Sequence, residues 1–235
     1  MLKLSSFFSR PWLYFAFLCL FPLFSGCHAP EGIRTTMLPE GKVALSRLAV
    51  LPFQAIVPDD PDARMVPCPL CESVFQTEKS ARDVEKILED ILLDRLGEYP
   101  QFTLILPPAA GATYRSLAAA PRAPLTEIVQ KTGKELGADG VLVGYVFRYR
   151  ERKGRSYSVE KPASVAFELH LIRVSDGVTV WRSSFDRTQT SFMENLSQLS
   201  YFSKWGIKWL TARELAIEGV EEVLKTFPGI TGPQR

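Results

Sequence analysis

The feature that most constrains the fold lies in the second half of the chain. There, strand-like alternation runs up to an Asp176-Gly177 pair and resumes after it. Val165, Phe167, Leu169 and Leu171 alternate with Ala166, Glu168 and His170, the period-two pattern of a half-buried strand. Asp-Gly is a strong hairpin signal, so residues 178–185 are expected to return as the antiparallel partner. Residues 141–147, Val-Leu-Val-Gly-Tyr-Val-Phe, read as a third strand that continues as a tail and turns near Lys153-Gly154. At 46% hydrophobic and 23% charged residues, the 235-residue chain can bury a core around such strands.

Upstream, strands and helices alternate. Residues 48–51 form a short apolar run closed by Pro52-Phe53, and residues 102–106 form another, stopped by Pro107-Pro108. Between them Val84, Ile87, Leu88, Ile91 and Leu92 fall on one helical face, with Ser80 as cap and Asp83 three residues on. Residues 109–123 are Ala-rich with Pro121, and residues 125–136 read as a second helix stopped by Gly137. A last helix opens with a capping box, Thr211 and Glu214. Its apolar stripe is Ala212, Leu215, Ala216, Gly219, Val220, Val223 and Phe227. Helical crossovers imply parallel pairing, and hairpins imply antiparallel pairing. The expectation is therefore an α/β domain with one mixed sheet of about five strands and at least three packed helices.

The amino terminus carries a different message. Lys3 and Arg10 precede an almost wholly apolar run, which ends at Phe24-Ser25-Gly26-Cys27. This is the layout of a signal peptide, and the small-Gly-Cys order resembles a bacterial lipobox with Phe24 where Leu, Val or Ile is usual. That resemblance implies cleavage after residue 26 and acylation of Cys27. With His28 rather than Asp after the Cys, it also implies sorting to the outer membrane. The chain's formal charge of +2 belongs to Lys3 and Arg10, so residues 27–235 are charge-balanced. This argues against a broad electrostatic nucleic-acid binder. The expected organisation is a signal peptide over 1–26, a lipidated flexible tether over 27–46, a periplasmic domain over 47–228 and a tail over 229–235. Within the domain, residues 54–79 are read as a long Pro-rich loop.

Three stretches resemble the group of envelope proteins that includes the TolB amino-terminal domain, LpoB and CsgG. They are Arg47-Leu-Ala-Val-Leu-Pro-Phe53, Gly137-Ala-Asp-Gly-Val-Leu-Val-Gly-Tyr-Val146 and Leu171-Ile-Arg-Val-Ser-Asp-Gly-Val-Thr-Val-Trp-Arg182. The resemblance covers roughly residues 46–227 and marks fold more than chemistry. It implies a non-enzymatic, lipidated partner of a larger envelope machine, such as a peptidoglycan synthase or a secretion component. A secretion-channel subunit of the CsgG kind is the alternative of a transport class.

Chemistry is scarce. The chain has two histidines, His28 and His170, and four cysteines. Cys19 lies in the signal core and Cys27 at the lipobox, which leaves the pair Cys68-Pro-Leu-Cys71. In an oxidising compartment a local disulfide is one reading. A structural zinc is a second. It needs further ligands such as His170 or the carboxylates Glu72 and Asp62. Thiol-disulfide exchange is a third, disfavoured by the flanking Pro67 and Pro69. His170 alone reads as an exposed or satisfied sheet residue, with no nucleophile in a recognisable motif beside it. Arg148, Arg150 and Arg152 share one strand face, with Lys153 and Arg155 following. They read as a charged sheet edge or as a docking surface for an acidic partner. Phe192, Leu196, Leu199 and Phe202, then Trp205 and Trp209, form either a cover over the sheet or an amphipathic patch. Phe192, Phe202 and Trp205 are therefore the second candidate contact surface.

Overall fold

The computed structural model describes residues 32–37, 45–78, 82–119, 123–190 and 208–230. Its strands are β1 (Gly32–Met37), β2 (Arg47–Val50), β3 (Gln54–Ala55), β4 (Met65–Pro67), β5 (Val74–Gln76), β6 (Thr103–Ile105), β7 (Gly140–Arg150), β8 (Lys153–Arg155), β9 (Ser158–Lys161), β10 (Ser164–Arg173) and β11 (Thr179–Thr188). Its helices are α1 (Val84–Leu96), α2 (Pro107–Ala118), α3 (Leu125–Glu135) and α4 (Ala212–Leu224). The main sheet has seven strands in the order β1-β11-β10-β7-β2-β6, with β3 also pairing β7. Pairings of β2 with β6 and of β2 and β3 with β7 are parallel, and those among β7, β10, β11 and β1 are antiparallel. The domain is thus α/β with a mixed sheet, as the element order implies. Among the described residues no helix is long and apolar enough to cross a membrane.

Both faces of this sheet are covered. Val165, Phe167, Leu169 and Leu171 of β10 enter one apolar cluster with Trp181 and Phe185 of β11 and the inner faces of α1 and α4. Ala166 and Ile172 enter a second cluster with Ala110 of α2, Val129 of α3, and Val66, Cys68 and Phe75 around the β4–β5 hairpin. The capping box of α4 forms: Thr211 Oγ1 accepts from the Glu214 N–H at 3.1 Å, and Glu214 Oε2 accepts from the Thr211 N–H at 2.8 Å. Gly219 lets α4 lie close on the sheet, since a Cβ there would stand 2.7 Å from a Phe185 ring carbon.

Several expectations give way. Residues 32–37 lie within the expected tether, yet they form edge strand β1 along β11. The strand is almost wholly exposed, so no apolar alternation betrays it. Residues 54–79 are not a plain loop. They hold β3 and the β4–β5 hairpin, whose inward positions are only Val66 and Phe75. The Ala-rich stretch is helix α2, with Pro107 and Pro108 at its first positions. Proline there lacks only an N–H that a helix start leaves unpaired. Helix α1 begins after Asp83, which adopts a left-handed backbone and makes no side-chain cap, and Ser80 lies outside the described residues. The tail after β7 makes its own hairpin, β8–β9. Strand β10, expected half-buried, is buried on both faces through nine of its ten residues.

Candidate metal centre

The β4–β5 hairpin carries the Cys68-Pro-Leu-Cys71 segment across its tip. The Cys68 N–H donates to the Ser73 carbonyl at 2.8 Å and the Glu72 N–H donates to the Cys68 carbonyl at 3.0 Å, which closes the turn. The hairpin is fastened to the sheet in tiers. At its base Thr77 Oγ1 donates to the Phe147 carbonyl at 2.9 Å, and an Arg148 guanidinium N–H donates to the Gln76 carbonyl at 3.0 Å. Above that the rings of Phe75 and Phe147 stack at 4.0 Å with 5° between planes. The register of β7 against β10 shifts at Phe147, an extra residue that lets both Phe147 and Arg148 meet the hairpin.

At the tip, four side chains converge. His170 Nε2 lies 3.3 Å from Cys68 Sγ and 3.2 Å from Glu168 Oε2. Cys71 Sγ donates to Glu168 Oε2 at 3.3 Å. One ligating atom from each of the four lies within 4.8 Å of all the others. Cys68, Glu168 and His170 are 1%, 3% and 0% exposed, and Cys71 is half-buried. Cys68 and Cys71 are both free in this structure, with no disulfide between them. The His170 ring also meets the Tyr145 ring edge to face at 6.0 Å.

The electrostatics follow from that crowding. A hydrogen bond between the two sulfurs holds the Cys68 thiol up and brings the Cys71 thiol down. Burial works against a charged His170, but its hydrogen bonds to Cys71 and Glu168 outweigh burial and raise its pKa. Burial pushes the Tyr145 phenol up as well. Two sulfurs, an imidazole nitrogen and a carboxylate oxygen can hold a metal ion, and this donor set is one that zinc takes. A cleft of about 690 Å³ lies elsewhere, between residues 55–64 and the start of α1. None of the four residues lines it.

The sequence names three of these four residues as ligand candidates. It misses Glu168, and neither Glu72 nor Asp62 joins the cluster. The signal for Glu168 is visible afterwards: Glu168 and His170 are two apart on one strand, hence on one face. The basic tail requires correction. Strand β7 is paired on both sides only as far as Val146, and beyond it the arginines are taken up by contacts within the fold. Arg148 is 4% exposed, bonds Ser164 Oγ at 2.6 Å and pairs with Asp186. Arg150 is tied to the Pro162 carbonyl and to Glu78, and Arg152 to Ser156 Oγ and the Trp209 carbonyl. These three arginines bind the fold together. Lys153 and Arg155 are exposed on the β8–β9 hairpin. Cys27, Phe192, Phe202 and Trp205 lie outside the described residues.

No protein-family model and no curated protein matches this chain. Solved structures do. The PelC dodecamer from Paraburkholderia phytofirmans is 16% identical, aligning over 85% of this chain and 98% of that one, with a TM-score of 0.47. A hypothetical protein from Chlamydia trachomatis is 15% identical over 77% of this chain and 94% of its own, at a TM-score of 0.44. The LpoB C-terminal domain from Escherichia coli is 16% identical over 64% and 87%, at a TM-score of 0.40.

Proposed function

We propose that the chain is an outer-membrane lipoprotein whose α/β domain faces the periplasm and acts by binding, as an accessory or scaffold in envelope assembly, not as an enzyme. The observation that carries this reading is the Phe24-Ser25-Gly26-Cys27 order after an apolar run. A multiply acylated Cys27 would hold the membrane firmly. Because β1 already starts at Gly32, the chain between it and Cys27 can reach at most about 18 Å. The exposed edge strand would then work close to the bilayer instead of on a long tether. The non-enzymatic part is supported by the burial of the titratable cluster away from the large cleft. For the contact surface, the exposed β8–β9 hairpin offers Lys153, Arg155 and Tyr157, the last 83% exposed. It suits an acidic protein partner.

The test is fractionation with metabolic acyl labelling. The intact chain is expected in the outer membrane with label on Cys27, and Cys27→Ser is expected to lose both label and membrane retention. An unlabelled chain, or a Cys27→Ser variant that stays fully membrane-bound, would overturn the anchor. A photo-crosslinker at Tyr157 is expected to capture a defined envelope protein. A surface that crosslinks to nothing in intact envelopes would be the wrong one.

A further inference from the structure

We infer that Cys68, Cys71, Glu168 and His170 form a closed structural zinc site that clamps the tip of the β4–β5 hairpin to the central strand β10. Size is the first argument. With ligands about 2.0–2.3 Å from zinc, neighbouring ligand atoms of a tetrahedron lie about 3.3–3.8 Å apart. The sulfur–nitrogen, sulfur–oxygen and nitrogen–oxygen separations of 3.3, 3.3 and 3.2 Å already stand at the short end of that range. Small outward movements of the hairpin tip would seat an ion among all four.

Donor chemistry is the second argument. Paired cysteine sulfurs with a histidine select zinc over calcium or magnesium, which take oxygen ligands. Four protein donors fill a tetrahedron and leave no position for a reacting water, so the site is structural. His170 Nδ1 is buried with no hydrogen-bond partner among the described residues, and Nε2 is the nitrogen aimed at the sulfur and the carboxylate. With Nε2 on the metal, the neutral ring keeps its proton on Nδ1.

Charge is the third. Glu168 is buried, and its cationic contact in the cluster is His170. A carboxylate held that way is costly unless a compact positive charge meets it. Binding forms two Zn–S bonds, one Zn–N bond and one Zn–O bond. Any proton on either sulfur or on His170 Nε2 leaves to solvent as its bond to zinc forms, and no electrons are transferred. The resulting centre carries one net negative charge. Arg182, opposite His170 on β11, reaches Ser73 Oγ at 3.3 Å beside the tip and sets a positive charge there.

The topology says what the clamp is for. A Cys68–Cys71 disulfide would close only a tiny loop, whereas the contacts made here join positions 102 and 97 residues apart. Cross-links that close long loops restrict the unfolded chain more.

The experiment uses the full-length chain, extracted from membranes in mild detergent without chelator. Elemental analysis is expected to find about one zinc per chain. Zinc X-ray absorption is expected to show two sulfur ligands and two nitrogen or oxygen ligands. Cys71→Ser should lower zinc retention at least about tenfold against a competing chelator, and Cys68→Ser likewise. Should either variant fail to fold, cobalt substitution of the unaltered chain reads the same site. Intense tetrahedral and thiolate charge-transfer bands are the expected spectrum. Absence of zinc together with no uptake of added zinc would overturn the site, as would an intact Cys68–Cys71 disulfide in the native chain. Iron or copper in place of zinc would also overturn it. None of these readouts depends on acylation of Cys27, so the site and the lipoprotein reading stand or fall separately.

Discussion

On one face of the central sheet, Trp181, Phe167 and Phe185 pack against α1 and α4 through apolar side chains. On the other face, beside a smaller apolar cluster, Cys68, Glu168 and His170 meet within hydrogen-bond distance, and Arg148 joins Asp186, Ser164 and the Gln76 carbonyl. The first face is held chiefly by volume and shape, with the Arg187–Glu218 pair and the Trp181–Thr226 hydrogen bond beside them. The second has charges and donors to satisfy as well, and a buried one without a partner is expensive. A short hairpin with two inward apolar residues has too little hydrocarbon to stay docked, so its polar tip and base do part of the holding.

The contrast can be broken first at its apolar end. Trp181 is fully buried, edge to face with Phe227 at 5.0 Å. Trp181→Ala is expected to lower stability by about 4 kcal/mol in denaturant unfolding, by cavity and transfer terms together. On the polar face Arg148→Ala should cost about 3 kcal/mol, because it leaves Asp186 without its ionic partner and takes a hydrogen bond from Ser164. Arg148→Lys should recover little, since a point charge cannot replace the three-way fork. If Arg148→Ala were neutral, the claim that this arginine is structural would fail.

Smaller effects sharpen the picture. Glu214 is held below its ordinary value of 4.5: burial alone would raise it, and the hydrogen bonds from Lys208 and Thr211 overcome burial. The unfolded chain therefore takes up this proton before the folded one does. The stabilisation is complete above pH 4.5 and is lost as pH falls through the lowered folded value. Glu214→Gln is expected to remove about 1 kcal/mol at neutral pH and to flatten this acid slope, read by urea midpoints across pH. Replacing exposed Lys153 and Arg155 together by Ala should change stability by less than about 0.5 kcal/mol. A larger loss would move them from the surface into the fold.

Legibility in the sequence follows the same division. The α1 and α4 face is written in hydrophobic periodicity, and the Thr211–Glu214 box and the Asp176-Gly177 turn mark their elements where the structure has them. The polar face is not written that way. Glu168 and His170 look like the outward half of an alternating strand, because alternation reports polarity and not what covers it. The cover is a hairpin with two buried apolar residues in a Pro-rich stretch, too short for a period to register. Likewise Arg148, Arg150 and Arg152 resemble a free basic face because their partners, Asp186, Glu78 and the Trp209 carbonyl, come from distant segments of the chain. Edge strand β1 is nearly all exposed and carries no core pattern.

The central claim is that the hairpin face is held by its polar centre while the helical face is held by its hydrocarbon. Hydrogen exchange on the zinc-loaded and chelator-treated protein tests it most directly. Stripping the metal is expected to strip protection from β4, β5 and the Cys68–Cys71 turn, while α1, α4 and β11 keep theirs. Unchanged protection of the hairpin, or an equal loss from both faces, would contradict the account.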